Sequence, residues 1–197
     1  AQAAGINTDV ALPVHQGGFV FRGQLRYQRL ANDPTAPGRE TTVWAAPLVV
    51  VYGVTSRTTV IGALPYIFES SRSNPAGAPV EDQRSGLADL RLLLRQTVFV
   101  RDGVLHTSRL GLLGGIEIPS GSEGFSSNTT QYLLGGVYTL QHGRHELDVD
   151  NVWKLNGEAD GVDAGDEYQA DAAYQLRVAP WNWPESGAPA QVLGVLE

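Results

Sequence analysis

Residues Ser85 to Ile118 read SGLADLRLLLRQTVFVRDGVLHTSRLGLLGGIEI, and the way this stretch faces decides the fold. In its first half Ala88, Leu90, Leu92, Leu94, Val98 and Val100 form an apolar row at every second position, broken only by Gln96. Asp89, Arg91, Arg95 and Thr97 fall between them. A period of two marks a strand with one apolar and one polar face. Asp102-Gly103 supplies a turn signal, after which Leu110, Leu112, Ile116 and Ile118 share one face and Arg109 and Glu117 the other. A β-protein in water hides its apolar face, whereas a membrane barrel shows it to lipid. The remainder of the chain chooses between them.

At 197 residues the chain is long enough for one domain with a sizeable core. It has no cysteine, which excludes disulfides and thiolate metal sites and suits export through an oxidising compartment. A formal net charge of −7 without a basic stripe argues against nucleic acid as a partner. The longest mostly apolar run, Trp44 to Val54, is shorter than the ~20 residues of a membrane-crossing helix and contains Pro47. The opening AQAAGINTDV lacks the charged and apolar regions of a signal peptide, so any such peptide is expected to have been removed already.

Read in order, residues 1–17 form a polar lead containing Pro13 and His15. Strands are expected over Phe19–Leu30, Thr42–Val54 and Thr58–Glu69, then over the hairpin above, then over Thr129–Leu140, Arg144–Leu155 and Glu167–Ala179, with a last run at Gln191–Leu196. The second and third are apolar on both faces in places, which leaves their parity open. Long polar connections are expected at Ala31–Glu40, Ser70–Arg84, Pro119–Asn128 and Asn156–Asp166, and only short turns elsewhere. Alternating long and short connections are a habit of outer-membrane barrels, and strands of about a dozen residues match a tilted membrane strand better than a soluble sheet. Tyr27, Trp44, Tyr52, Tyr66, Phe68, Phe99, Tyr132, Tyr138, Trp153, Tyr168 and Tyr174 often lie toward strand ends, where such barrels carry aromatic girdles.

Several segments also resemble a known family: PLVVVYGVTSRTTVIGALPYIFES (Pro47–Ser70), SGLADLRLLLR (Ser85–Arg95), LLGGIEIPSGS (Leu112–Ser122), LLGGVYTLQHGRHELDVDN (Leu133–Asn151) and GDEYQADAAYQLRVAPWNWP (Gly165–Pro184). Together they are similar to the bacterial outer-membrane β-barrels described as transporters of the meta-pathway of phenol degradation. The resemblance covers most of the chain from Phe19 onward. It implies an outer-membrane barrel acting as a channel for small aromatic or hydrophobic compounds. Members of that family carry Gly where Ala88 stands and continue for several strands beyond a position like Leu196. Single-chain barrels must close and use an even strand number, so this chain, with about nine strands, is expected to be a portion of a larger barrel.

Signals for catalysis are thin. His142 and His145 flank a turn as H-x-x-H-E, which is not the helical H-E-x-x-H of a zinc protease. A barrel lipid hydrolase would pair His145 with Ser108 or Ser120, but no G-x-S-x-G is present. Glu158, Asp160, Asp163, Asp166 and Glu167 crowd one loop without the spacing of a calcium-binding EF-hand.

The expectation is therefore an all-β, antiparallel, up-and-down transmembrane barrel forming one domain, non-enzymatic, without cofactor or metal. Its partners are membrane lipid, lipopolysaccharide and a small solute. Arg22, Arg26, Asp89, Arg91, Arg95, Glu146, Asp148, Asp150, Asp171 and Arg177 are the candidate pore-lining residues, with Arg91 and Arg95 facing Asp148 and Asp150. The alternatives are a soluble β-sandwich or lipocalin-like binder, with every strand turned inside out, and the lipid hydrolase.

Overall fold

The computed structural model describes residues 11–31, 39–73, 80–158, 165–181 and 192–196. Its strands are β1 (Phe19–Gly23), β2 (Arg26–Ala31), β3 (Glu40–Gly53), β4 (Thr58–Ser73), β5 (Val80–Leu87), β6 (Leu90–Gly103), β7 (His106–Ile118), β8 (Gln131–His142), β9 (His145–Leu155), β10 (Glu167–Ala179) and β11 (Val192–Leu196). All belong to one antiparallel sheet along the path β1-β3-β4-β6-β7-β8-β9-β10-β11, with β2 beside β3 and β5 beside β4. The sheet curves into an open half-barrel. Among the described residues no pairing joins β1 to β11.

The apolar row of the opening hairpin lies on the convex side. Leu92, Leu94, Leu112 and Leu134 are all exposed there, as are Trp153 (56%) and Tyr132 (57%). The concave side holds the polar set, with Asp148 fully buried and Gln175 and Arg95 at 2% and 3% exposure.

Register fixes how the sheet closes on itself. One row of directly paired residues runs Phe19, Tyr52, Val60, Leu94, Gly114, Leu134, Trp153, Tyr168. It starts next to the short turn after β3 and finishes next to the long connection before β10. The strands are thus staggered along their lengths by about ten residues over six steps from β3 to β10. At ~3.3 Å per residue and ~4.8 Å between strands, that is a tilt of roughly 45°, as a closing barrel requires.

Two prolines and several register shifts, one of them at Arg177/Ala179, shape the wall. Pro47 and Pro65 face each other, and their carbonyls point outward, accepting from Gln24 N at 3.3 Å and Ala88 N at 2.8 Å. Neither proline can donate in return, so the neighbouring strands leave the ladder at this level. The stretch expected as one strand, Phe19–Leu30, is consequently split into β1 and β2, and Leu87 to Leu90 is interrupted between β5 and β6. Register also slips by one residue across the second break, from Tyr66↔Leu87 to Ala63↔Arg91. Ala88 therefore leaves the convex apolar row and lines the concave side with Asp89.

The second bulge, between Thr97 and Phe99, moves Val100 opposite Arg109 and out of the same row. Its purpose is legible in the pairing. The two-residue turn after Gly103 sets Gly103 opposite His106; carried straight on, that register would put Arg91 against Ile118, mixing the faces. One extra residue restores Arg91↔Glu117.

The connection expected at Ser70–Arg84 is corrected as well. β4 continues to Ser73 and β5 starts at Val80, with Arg84–Glu69 and Arg72–Glu81 ion pairs of 3.0 Å across the extension. Alternating opposite charges let this polar hairpin persist beyond the apolar band.

Candidate functional site: the concave face

The site is built by inward-pointing side chains of β1 to β10, closed at one end by residues 11–18 and at the other by the connection after β7. The lead is fastened to the sheet by side chains. Ala11 N donates to Thr139 Oγ1 (2.8 Å), which donates to Asp148 Oδ1 (2.6 Å); Gln175 Nε2 donates to Asp148 Oδ2 (2.8 Å). Arg95 Nη2 donates to the Leu12 carbonyl at 3.0 Å. The backbones of Gly17 and Gly18 bond to Gly53, where a Cβ would sit 2.3 Å from the His15 carbonyl oxygen. Only glycine lets the lead lie this close.

At the other end Asp89 does the fastening. Its carboxylate accepts from Gly121 N (2.9 Å), Ser127 N (2.7 Å) and Ser127 Oγ (2.6 Å), folding the connection over the concave face. Phe125 joins the lining and stacks under the Arg84 guanidinium at 5.3 Å. Gly86 makes room, since a Cβ there would meet Ser122 Cβ at 2.6 Å.

Between these two closures lies a cavity of about 1100 Å³. One wall, from β1, β3 and β4, is apolar: Val20, Pro47, Val49, Val51, Ile61, Ala63 and Pro65. The opposing wall carries Asp89, Arg91, Arg95, Glu117 and Lys154, while Arg22 and Arg26 project from the apolar side. This resolves the parity of β3 and β4, which look apolar on both faces because one faces outward and the other lines the cavity.

The ten sequence-predicted residues fall on the concave side as follows. Arg22, Arg26, Asp89, Arg91 and Arg95 line the large cavity. Asp150 lines a smaller one of about 140 Å³ beside it. Glu146, Asp148 and Arg177 are buried, with Gln175 Nε2 3.4 Å from Glu146 Oε1. Asp171 stands opposite Asp150 in the ladder and accepts from Gln169.

Arg91, expected opposite Asp148 and Asp150, takes its ion pair from β7 instead. Arg91 pairs with Glu117 at 2.8 Å, and Lys154 approaches the same carboxylate at 3.4 Å. Arg95 donates to the lead, and Asp148 accepts from Thr139 and Gln175. Glu117 stands on the polar face by sequence without a role, and no sequence signal ties it to Lys154 or points to Thr139 and the lead.

The hydrolase residues are not assembled. Ser108 Oγ is hydrogen-bonded to Tyr138 OH at 2.9 Å, His145 Nδ1 to Tyr174 OH, and Ser120 Oγ accepts from Leu90 N at the other end of the sheet. Among the described residues no group of histidine and carboxylate side chains is placed to hold a metal ion. In the acidic connection, Glu158, Asp166 and Glu167 are described, whereas Asp160 and Asp163 lie outside the described residues. Compared with known proteins, the chain matches no protein-family model, no curated protein and no solved structure.

Proposed function

We propose that this sheet is the wall of a bacterial outer-membrane barrel and that its concave face is the lumen of a passive pathway for small solutes. One observation carries the reading: one face of the sheet exposes a continuous set of large apolar side chains, while Asp89, Arg95, Glu146, Asp148, Asp150 and Arg177 are buried on the other. In water that arrangement forgoes the main driving force of folding; in lipid it gains it.

The outward aromatics support the same reading. Tyr27, Trp44, Phe68, Tyr132, Trp153 and Tyr168 form one oblique band, and Phe19, Tyr52, Phe99 and Tyr174 another, with cross-strand ring pairs at 4.9 Å for Tyr27–Trp44 and Trp153–Tyr168. Two such bands are what the membrane interfaces favour. In lipid the free edges of β1 and β11 need partner strands, so the conducting form contains more strands than these. Substrates with apolar character suit the cavity, one wall of which is aliphatic.

Gel mobility in cold and boiled SDS tests the proposal. A closed membrane barrel stays folded cold and shifts on heating, and it conducts ions when placed in a planar bilayer. Solubility in plain buffer with no heat shift would replace it by the soluble binder.

A further inference from the structure

We infer that the cavity is a binding site for a small monoanion with an apolar body, such as an aromatic carboxylate, its charge held by Arg22. The inference deepens the channel reading by naming the class of solute, and it rests on that reading only in treating the cavity as the lumen.

The register supplies the geometry. One ladder row reads Arg22, Val49, Ala63, Arg91, Glu117, Gln131. Two short apolar side chains thus form the floor between two arginines, three strand spacings or about 14 Å apart along the sheet. The neighbouring prolines, Pro47 and Pro65, extend that floor. The two arginines are in different states. Arg91 is neutralised by Glu117 at 2.8 Å. Among the described residues the Arg22 side chain makes no hydrogen bond or ion pair, and its Nε is buried without a partner.

A half-buried guanidinium set in an aliphatic wall, facing a cavity and lacking a carboxylate, is costly unless something anionic meets it. The balance of charge around the cavity agrees: Arg22, Arg26, Arg91, Arg95 and Lys154 against Asp89 and Glu117. A neutral apolar solute would leave Arg22 unmatched, and a cation would be repelled. A carboxylate accepts the planar fork of the guanidinium in a bidentate manner while its ring lies on Val49 and Ala63.

Calorimetric titration of the full chain, folded in detergent, with benzoate, benzamide and benzylamine tests this, with empty micelles as blank. Benzoate is expected to bind saturably, and benzamide and benzylamine at least tenfold more weakly. Arg22→Gln should weaken benzoate about tenfold or more and leave benzamide unchanged; Arg22→Lys should restore part of the loss. Ala63→Leu, which fills the floor, should weaken both. Each variant is checked for its heat shift, so that misfolding is not mistaken for lost binding. Equal affinity for benzoate and benzamide, unaltered benzoate binding in Arg22→Gln, or no benzoate binding by a chain with an intact heat shift would each overturn the assignment. The last result leaves the barrel standing without this site. Benzoate binding by a chain soluble without detergent would keep the site and remove the membrane reading.

Discussion

The two halves of the sheet meet the lumen on different terms. In β1, β3 and β4 the inner face is largely aliphatic, so β3 and β4 read as apolar on both faces in places, with Arg22 set in that wall and Arg26 held by Gln24 at 2.7 Å. From β6 to β10 the inner face is a network: Arg91–Glu117–Lys154, then Thr139–Asp148–Gln175, with the lead and the Asp89 loop fastened to it. The second half ties Arg91, Glu117, Lys154 and Asp148 to one another and to neighbouring polar groups, and serves as scaffold. The first half leaves surface and charge available, and is the half that a solute would touch.

Breaking the network should have the largest effect. Asp148→Ala removes the acceptor of both Thr139 and Gln175 in a fully buried place, and a loss of about 2–5 kcal/mol is expected in denaturant unfolding. Val49→Asn, on the aliphatic wall, should cost much less, because it faces a cavity. Equal losses at the two positions would erase the distinction between the halves.

The convex face offers the next test. Leu112→Arg, between the two aromatic bands, should cost about 2–4 kcal/mol when folding is measured in bilayers. The same change at an exposed site of a protein in water stays within ~0.5 kcal/mol. A small effect here would turn the sheet inside out.

Gly53→Ala should act locally. The new methyl meets the His15 carbonyl, so amide exchange at residues 11–18 is expected to accelerate while β8 to β10 stay protected. Smallest is Glu117→Gln, which loosens the half-exposed Arg91 and is expected to cost under ~1 kcal/mol, shrinking further in high salt.

The sequence made the network half legible and the aliphatic half opaque, for one reason. Alternation is informative only where the two faces differ, as at Glu146, Asp148 and Asp150 against Leu147, Val149 and Trp153. Where both are apolar, as over Val49 to Tyr52, parity has to come from pairing. Pairing was recoverable in part. The two-residue turn after Gly103 fixes one register, and the clash it creates between Arg91 and Ile118 signals a missing bulge. The break at Asp89 had a signal too, Pro65, but reading it required knowing which residue lies opposite. The lead had none, because its partners, Thr139 and Arg95, are more than eighty residues away.

The facing prolines leave one more mark on the molecule. Gln24, Pro47, Pro65 and Ala88 lie side by side across four chain segments, and at that level the ladder carries two acceptors with no proline N–H to answer. Cooperativity passes poorly through such a line. The segments above it, β2 with the start of β3 and the end of β4 with β5, are expected to exchange their amide protons together and ahead of β6 to β10.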